Sequence, residues 1–221
     1  MEIANFEAKK GEKVFLQGAS GSGKSTLLNL IGGVLVPESG SLEVLGQNLG
    51  SLSAGARDQF RGDHMGFIFQ MFNLLPYFSA EENVLLPCRF SKLKMQRVLE
   101  SSDTLNEEAS RLFSKLDLKA DALNRSNITQ LSVGQQQRVA AVRALMGKPE
   151  IIIADEPTSA LDADIRDRFL DLLFGECEKF QATLIFVSHD QSLGEKFDRT
   201  VFLSEINKAS RSLESSGSGI G

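Results

Sequence analysis

The sequence predicts an α/β fold with a mostly parallel sheet, a small antiparallel β layer and an inserted α-helical subdomain. Three observations predict it. Short apolar runs alternate with helical periodicity towards both ends of the chain, the pattern of strand–helix–strand units. The stretch Gly18-Ala19-Ser20-Gly21-Ser22-Gly23-Lys24-Ser25-Thr26 fits G-x-x-x-x-G-K-[ST] between a strand and a helix. From about Pro76 to Met146 there are helical patterns and no convincing strand.

The elements follow in order. Val14–Gln17 is an apolar strand that enters the glycine loop, and Ser25–Ile31, with Leu27, Leu28, Leu30 and Ile31, is the helix that leaves it. Pro37-Glu38-Ser39-Gly40 is turn chemistry, so Ser41–Leu45 is assigned to a strand of the antiparallel layer. Phe67–Phe69 is the next strand. Leu105, Ala109, Leu112, Phe113 and Leu116 share one helical face, and Val139, Val142, Leu145 and Met146 share another. Ile151–Ala154, Thr183–Val187 and Val201–Leu203 are strands, with an amphipathic helix between the first two marked by Ile165, Phe169, Leu172 and Leu173. The expected organisation is a core of 1–75 and 147–209, a helical subdomain of 76–146 and a flexible Ser/Gly-rich tail of 210–221.

Bulk properties narrow the function. A net charge of −5 gives no global positive field to draw in nucleic acid. The longest apolar runs are far short of a membrane span, and residues 1–7 carry no signal-peptide pattern. The chain is therefore expected in the cytosol, or at a membrane only through a partner. Cys88 and Cys177 form no C-x-x-C pair and are expected as free thiols. Arg89, Lys92, Lys94 and Arg97 form a basic segment. A solvated polar loop is the preferred reading, with contact to acidic lipid headgroups as the alternative.

The residue chemistry points to a nucleoside triphosphate. Glycines let the backbone of residues 18–23 curl so that N–H groups face phosphate oxygens. Lys24 has the reach of β- and γ-phosphates, the Ser25 hydroxyl suits Mg²⁺, and the following helix presents its positive end. A Gly/Ser-rich turn is the plain alternative; the flanking strand and helix argue against it. Ile151–Ala154 runs into Asp155-Glu156-Pro157, and strand C-termini in parallel sheets open on the ligand crevice. There Asp155 suits a water-bridged Mg²⁺ and Glu156 suits activation of water, although a turn after a strand has the same spelling. His189 ends the run Val187-Ser188-His189; alone it is a satisfied polar residue, beside a γ-phosphate it bridges phosphate and water. Gln70, at a strand end, is a weak candidate for contact with Mg²⁺ and the attacking water. His64 has no such context and is assigned to the surface. Leu131-Ser132-Val133-Gly134-Gln135 precedes a helix, and Ser132 and Gly134 make a second anion site. A second site suggests completion of another molecule's nucleotide pocket.

As a set these residues resemble the ATP-binding cassette (ABC) ATPases, which share a P-loop NTPase core. The matching stretches are the P-loop Gly18–Ser25, the Q-loop Gln70, the signature Leu131–Gln135, the Walker B strand with Asp155 and Glu156, the D-loop Ser159-Ala160-Leu161-Asp162 and the H-loop His189. Leu30-Ile31-Gly32-Gly33, Met65–Pro76 and Glu82-Asn83-Val84 with Leu86-Pro87 are closer to the ATPases of lipoprotein release and macrolide export, and to the related cell-division cassette. The resemblance implies ATP and Mg²⁺ as ligands, with Ser25, Gln70 and Asp155 around the metal. It implies a head-to-tail homodimer in which each ATP lies between one P-loop and the other copy's signature. Glu156, His189 and Gln70 would be catalytic, Asp162 would help join the two sites, and an integral membrane permease would hold the dimer on the cytoplasmic face of the membrane.

Two departures stand out. Val133 replaces the family's usual Gly in the signature, with Ser132 and Gly134 kept, so the phosphate clamp is expected to survive. Only seventeen residues precede Gly18, and the family's adenine-stacking aromatic lies well upstream. Phe6, in a position that is usually core, and the strand residue Phe15 are the aromatics there. The sequence therefore predicts a missing leading strand, an antiparallel layer incomplete at its N-terminus and no aromatic platform for adenine. A non-transport switch bound to a membrane protein, as in the cell-division cassette, stays open. The long insertions of DNA-repair cassettes and the second cassette of ribosome-associated ones are absent. The guanine-reading N-K-x-D of GTPases is absent too: Asn207-Lys208-Ala209-Ser210 lacks the Asp.

Overall fold

Val14, Phe15 and Leu16 form the centre of β1 (Lys13–Gln17) because all three are fully buried, on alternate faces of a sheet. The computed structural model describes residues 1–118, 127–159, 161 and 163–208. After β1 come α1 (Lys24–Ile31), β2 (Glu43–Val44), β3 (Gln47–Asn48), α2 (Ala54–His64) and β4 (Met65–Ile68). The helices α3 (Ala80–Phe90), α4 (Lys92–Leu99), α5 (Leu105–Lys115) and α6 (Val133–Leu145) follow. The chain returns through β5 (Ile151–Asp155), α7 (Ala163–Phe180), β6 (Thr183–Val187), β7 (Arg199–Phe202) and the short α8 (Leu203–Ile206). Among the described residues the main sheet has five strands in the order β4-β5-β6-β1-β7, and every pairing in it is parallel.

Apolar layers cover both faces, which is why β5 and β6 are continuous apolar runs. Val14, Leu16, Ile153, Ile185 and Val187 cluster with Leu27, Leu28 and Ile31 of α1. Phe15, Ile152, Ala154 and Phe186 cluster with residues of α6 and α7 on the other face. Phe6 is half-buried against the α1 face. β2 and β3 form an antiparallel hairpin whose turn residues, Leu45 and Gly46, sit at φ 51° and 77°, the left-handed pair that a two-residue hairpin requires.

Between residues 76 and 146 the described elements are helices, besides one isolated bridge between Ser79 and Asn127. Reciprocal caps open three of them: Ser79 with Glu82, Thr104 with Glu107, and Ser132 with Gln135. At β4 the helical layer comes close: a Cβ on Gly66 would lie 2.1 Å from the Ala144 carbonyl oxygen, so this strand position admits no side chain. Ion pairs tie the layers together. Arg111 of α5 gives two hydrogen bonds to Glu176 of α7, at 2.9 and 2.7 Å, and two to Glu108 at 2.8 and 2.9 Å. Both carboxylates are buried.

Several local expectations are corrected. β4 begins at Met65 and ends at Ile68, so Phe69 lies beyond it, and Leu203 starts a helix instead of ending a strand. Ser41–Leu45 shortens to Glu43–Val44. The segment Arg89–Arg97 is not a solvated loop but spans the end of α3 and most of α4 about Ser91: Lys94 is buried with its Nζ donating to the Met65 carbonyl at 2.6 Å, and Arg97 pairs with Glu150. Burial pulls the Lys94 pKa down to about 8. His64 is half-buried, not a surface residue; its Nδ1 lies 3.1 Å from Glu150 Oε1 and its ring packs on Phe60. Cys88 and Cys177 are free and buried, and burial pushes their thiols up to about 11 and about 12. Among the described residues no helix is long and apolar enough to cross a membrane. The tail 210–221 lies outside the described residues.

Arg111→Ala would leave two buried carboxylates without their cation. It is expected to cost about 3 kcal/mol, the low end for breaking a buried pair because Arg111 is partly exposed; urea unfolding checks this. Burial drives the Glu108 carboxyl up, but the Arg111 bonds outweigh it and hold the net value below the ordinary one. The contribution of Glu108 is therefore complete above the unfolded value, roughly 4.3, and is lost as pH falls through the lowered folded value. An acid-unfolding curve that is unchanged in the variant would contradict the assignment.

Candidate functional site

Three adjacent strands end at one edge of the sheet. β6 lies between β5 and β1, and its Val187 is in register with both Asp155 and Leu16. The residues after these strand ends are Gly18 onward, Glu156 and Ser188-His189. The carboxyl edge of a parallel sheet therefore gathers what the chain scatters over 170 residues or so of sequence, as expected for this class of fold.

The glycine loop is shaped by backbone geometry. Gly21 and Gly23 have φ of 74° and 102°, a region that costs a side chain. A Cβ on Gly18 would lie 2.6 Å from Ser22 Oγ and 3.2 Å from Leu203 Cβ. Gly23 occupies the N-cap of α1 and brings no capping side chain, and the first turn holds no acid. The positive end of α1 thus stays available to an anion. Lys24 is buried and folds back, its Nζ donating to the carbonyls of Gly18 and Ala19 at 2.7 and 3.0 Å. Ser22 Oγ is buried and, among the described residues, has no hydrogen-bond partner. Ala19, Ser20, Ser25 and Thr26 are exposed. An orphaned hydroxyl, an uncapped helix and a lysine on weak acceptors fit a polyphosphate.

The carboxylates face this loop from β5. Burial raises the Asp155 carboxyl above its ordinary value, opposed by the charges of Lys24 and His189. Glu156 stands at φ 50°, its N–H bonded to the Val187 carbonyl at 2.9 Å. Its Oε2 accepts from the His189 backbone N–H at 3.3 Å, and its Oε1 lies 3.2 Å from His189 Nε2. The second contact is a close approach without hydrogen-bond alignment, since Oε1 is buried and accepts no bond among the described residues. Burial raises the Glu156 carboxyl as well, again opposed by His189 and Lys24. The His189 side chain is largely exposed.

The other predicted residues are spread around this centre. Gln70 is exposed just past β4, the neighbour of β5. Ser132 caps α6: its Oγ accepts from Gln135 N at 3.3 Å, and Gln135 Oε1 accepts from Ser132 N at 2.9 Å. The hydroxyl proton of Ser132 stays available to donate. Val133 points largely into solvent, Gly134 is half-buried, and Leu131 packs on the core. In the D-loop, Ser159 N bonds the Glu156 carbonyl at 3.4 Å and Leu161 packs on the core; Ala160 and Asp162 lie outside the described residues. Among the described residues no cluster of three or more His, Cys, Asp or Glu holds a metal by itself. A Mg²⁺ with few protein ligands, completed by phosphates and water, is the hard-cation arrangement that Ser25 and Asp155 suit.

Two contributors carry no motif. Arg143 of α6 clamps the turn after Gln70 by donating to the carbonyls of Phe72 and Asn73 at 2.7 and 2.5 Å, where both residues have positive φ. Asn207 is buried, accepts from Glu2 N at 3.0 Å and donates to the Ser22 carbonyl at 3.4 Å. No local pattern announces either residue, because both act on backbone atoms far away in sequence.

Comparison with known proteins agrees with this geometry. Residues 1–159 match the family described as ABC transporter. Over 195 residues the chain is 42% identical to the macrolide export ATP-binding/permease protein MacB of Rhodopseudomonas palustris, covering 88% of this chain and 28% of that one. It is 37% identical over 199 residues to the lipoprotein-releasing system ATP-binding protein LolD of Francisella tularensis, covering 90% of this chain and 83% of the relative. The chain thus spans less than a third of the first of these relatives. It superposes on the dimeric ATP-binding cassette MJ0796 bound to ADP and Pi with a TM-score of 0.77 at 35% identity, over 90% of this chain and 83% of the other.

Lys24→Ala removes the cation of the loop. Affinity for a fluorescent ATP analogue is expected to fall by about 100-fold, roughly the loss of one charge-assisted contact of 2–3 kcal/mol. Unchanged affinity would remove Lys24 from the site.

Proposed function

The chain belongs to the ABC transporter family, and from that premise we propose that it dimerises head to tail around two ATP and drives a membrane permease. It is an ABC-type ATPase, converting ATP and water to ADP and phosphate. The observation that carries the mechanistic reading is the buried Glu156, held against His189 at the sheet edge within the field of Lys24.

In this reading Gly18–Ser25 hold the triphosphate through backbone N–H groups and Lys24. Lys24 exchanges the Gly18 and Ala19 carbonyls for phosphate oxygens, a stronger acceptor set. The burial that raises the Glu156 carboxyl makes it a better base, so that it takes the proton of the attacking water. His189 then moves from Glu156 towards the γ-phosphate. Ser25, Gln70 and Asp155 would hold Mg²⁺, which when bound supplies charge neutralisation at the β- and γ-phosphate oxygens.

The signature supports the head-to-tail arrangement. Ser132, Val133 and Gly134 open α6 with a hydroxyl proton to spare, and among the described residues no hydrogen bond links Leu131–Gln135 to Gly18–Thr26. Such a site would serve the γ-phosphate on a second copy. Val133 is compatible because its side chain is solvent-facing. The D-loop Ser159–Asp162 would run along the same interface. The core 1–75 with 147–209 and the helical part 76–146 would then each supply half of a composite site.

A groove of about 360 Å³ supports a permease partner. It lies beside the Gln70 turn and is walled by Phe67, Phe69, Leu86, Pro87 and Phe90. Phe90, Met71 and Tyr77 are 79%, 80% and 93% exposed, which is apolar surface in search of cover. The MacB relative is by name an ATP-binding/permease protein and LolD by name part of a lipoprotein-releasing system, so release or export is the transport class we favour. A permease there would hold the ATPase on the cytoplasmic face of the membrane.

Glu156→Gln is expected to bind ATP, stop turnover and accumulate a dimer on size exclusion with Mg-ATP, while the parent chain runs as a monomer without nucleotide. Turnover at the parent rate would refute the base assignment. The base must be ionised, so hydrolysis should fall as pH drops through the raised Glu156 value. The acid limb of the rate profile should therefore lie above the ordinary carboxylate value of about 4.3. A limb at or below that value would show that Glu156 is not the titrating group.

A further inference from the structure

α7 starts directly after the D-loop, and its opening turns are bolted to the residues that follow His189. Arg166 Nη1 pairs with Asp190 Oδ2. The neighbouring Asp167 Oδ1 lies 3.2 Å from Lys196 Nζ and 3.8 Å from Arg166 Nε. Four charges thus alternate in sign, and Arg166 Nε and Asp167 Oδ1 are both shut off from water. A lone exposed ion pair contributes little, but a network with enclosed atoms fixes geometry.

Asp190 is held on every side. Its Oδ1 accepts from Ser192 N at 3.0 Å and from Ser192 Oγ at 2.6 Å, which caps the 3-10 turn Gln191–Lys196. Its N–H donates to Ser188 Oγ at 3.1 Å, and the preceding N–H, that of His189, donates to Glu156. The bonds to Ser192 hold the Asp190 carboxyl below its ordinary value, so it is the charged partner Arg166 requires.

We propose that Arg166 is a positioning residue for His189. Through Asp190 it fixes the backbone of residues 188–190 and so sets the imidazole against Glu156. Because Arg166 stands one helical turn after the D-loop, the same contact carries a displacement of residues 159–162, on meeting a second copy, to the His189–Glu156 pair. The ion pair is the physical link between the dimer interface and hydrolysis. This rests on the reading of Glu156 and His189 as the hydrolytic pair.

The test compares Arg166→Gln, Arg166→Lys and Lys13→Gln in the full chain. Lys13 bonds Glu178 at the far end of the same helix, at 2.8 Å, and controls for general loosening of α7. Arg166→Gln is expected to lower kcat by about ten- to a hundredfold, the range for a misplaced catalytic group. ATP affinity, measured in the Glu156→Gln background, should stay within about twofold, Arg166→Lys should recover most of the rate, and Lys13→Gln should leave kcat near the parent value. A parent-like kcat for Arg166→Gln, an equal fall in Lys13→Gln, or a parallel loss of ATP affinity would overturn the proposal. Should Arg166→Gln lose its thermal unfolding transition, Asp190→Asn decides the matter. It keeps an oxygen for Ser192 and weakens only the arginine pair, and the same kcat loss at constant affinity is expected. An active Glu156→Gln would instead overturn the hydrolytic reading itself, so the two failures are distinguishable.

Discussion

Burying the Lys24 ammonium at the mouth of a parallel sheet has a cost that only anions fully offset. Two backbone carbonyls satisfy its hydrogen bonding in this structure, but they bring no negative charge, and an anionic acceptor holds an ammonium more strongly. The rest of the site is arranged around that deficit. The helix behind Lys24 has an open positive end, Ser22 Oγ has no partner among the described residues, and two carboxylates with raised values stand at the end of β5, one strand removed from β1. A triphosphate with a divalent cation would answer these demands together, the phosphates at the lysine and the helix and the cation at Asp155.

The remaining architecture keeps those groups in place while leaving one part adjustable. Gly66 lets the end of α6 press on β4, and Arg143 holds the turn after Gln70 from the same helix. α6 therefore carries both the signature at its start and the Gln70 clamp near its end. A motion of α6 would reach the apolar groove and the Gln70 turn together. The Glu108–Arg111–Glu176 cluster ties α5 to α7, and α7 in turn is tied to the His189 segment. Ion pairs, which depend on geometry more sharply than apolar contacts do, thus join α5 to α7 and α7 to the His189 segment.

Much of this was legible in the sequence, for physical reasons that differ by element. β5 and β6 were plain because a strand covered on both faces has to be apolar throughout. The P-loop was plain because its backbone conformation restricts the residues that can form it. Phe67–Phe69 misses the first two residues of β4 because a glycine carries no strand signal, and the close Ala144 carbonyl explains why Gly66 is there. Leu203 reads as strand but packs on Gly18 from a helix. The segment Arg89–Arg97 misled because its composition is polar, whereas Glu150 and the Met65 carbonyl take two of its cations from afar. His64 failed for the same reason. Motif spelling singles out Glu156 and His189, which the fold brings into contact, while Arg143, Arg166 and Asn207 carry no signal because their partners are backbone atoms or charges brought near only by the fold.

In the proposed dimer each ATP is shared between two chains. In a Glu156→Gln background, a chain carrying Lys24→Ala is mixed with one carrying Ser132→Arg. Either alone has no complete site if the sites are composite, whereas the mixed pair has one: the intact P-loop of the second chain facing the intact signature of the first. The account predicts a dimer with Mg-ATP only in the mixture, holding one ATP per two chains. A mixture that stays monomeric, or a Ser132→Arg chain that dimerises alone with two ATP, would contradict it.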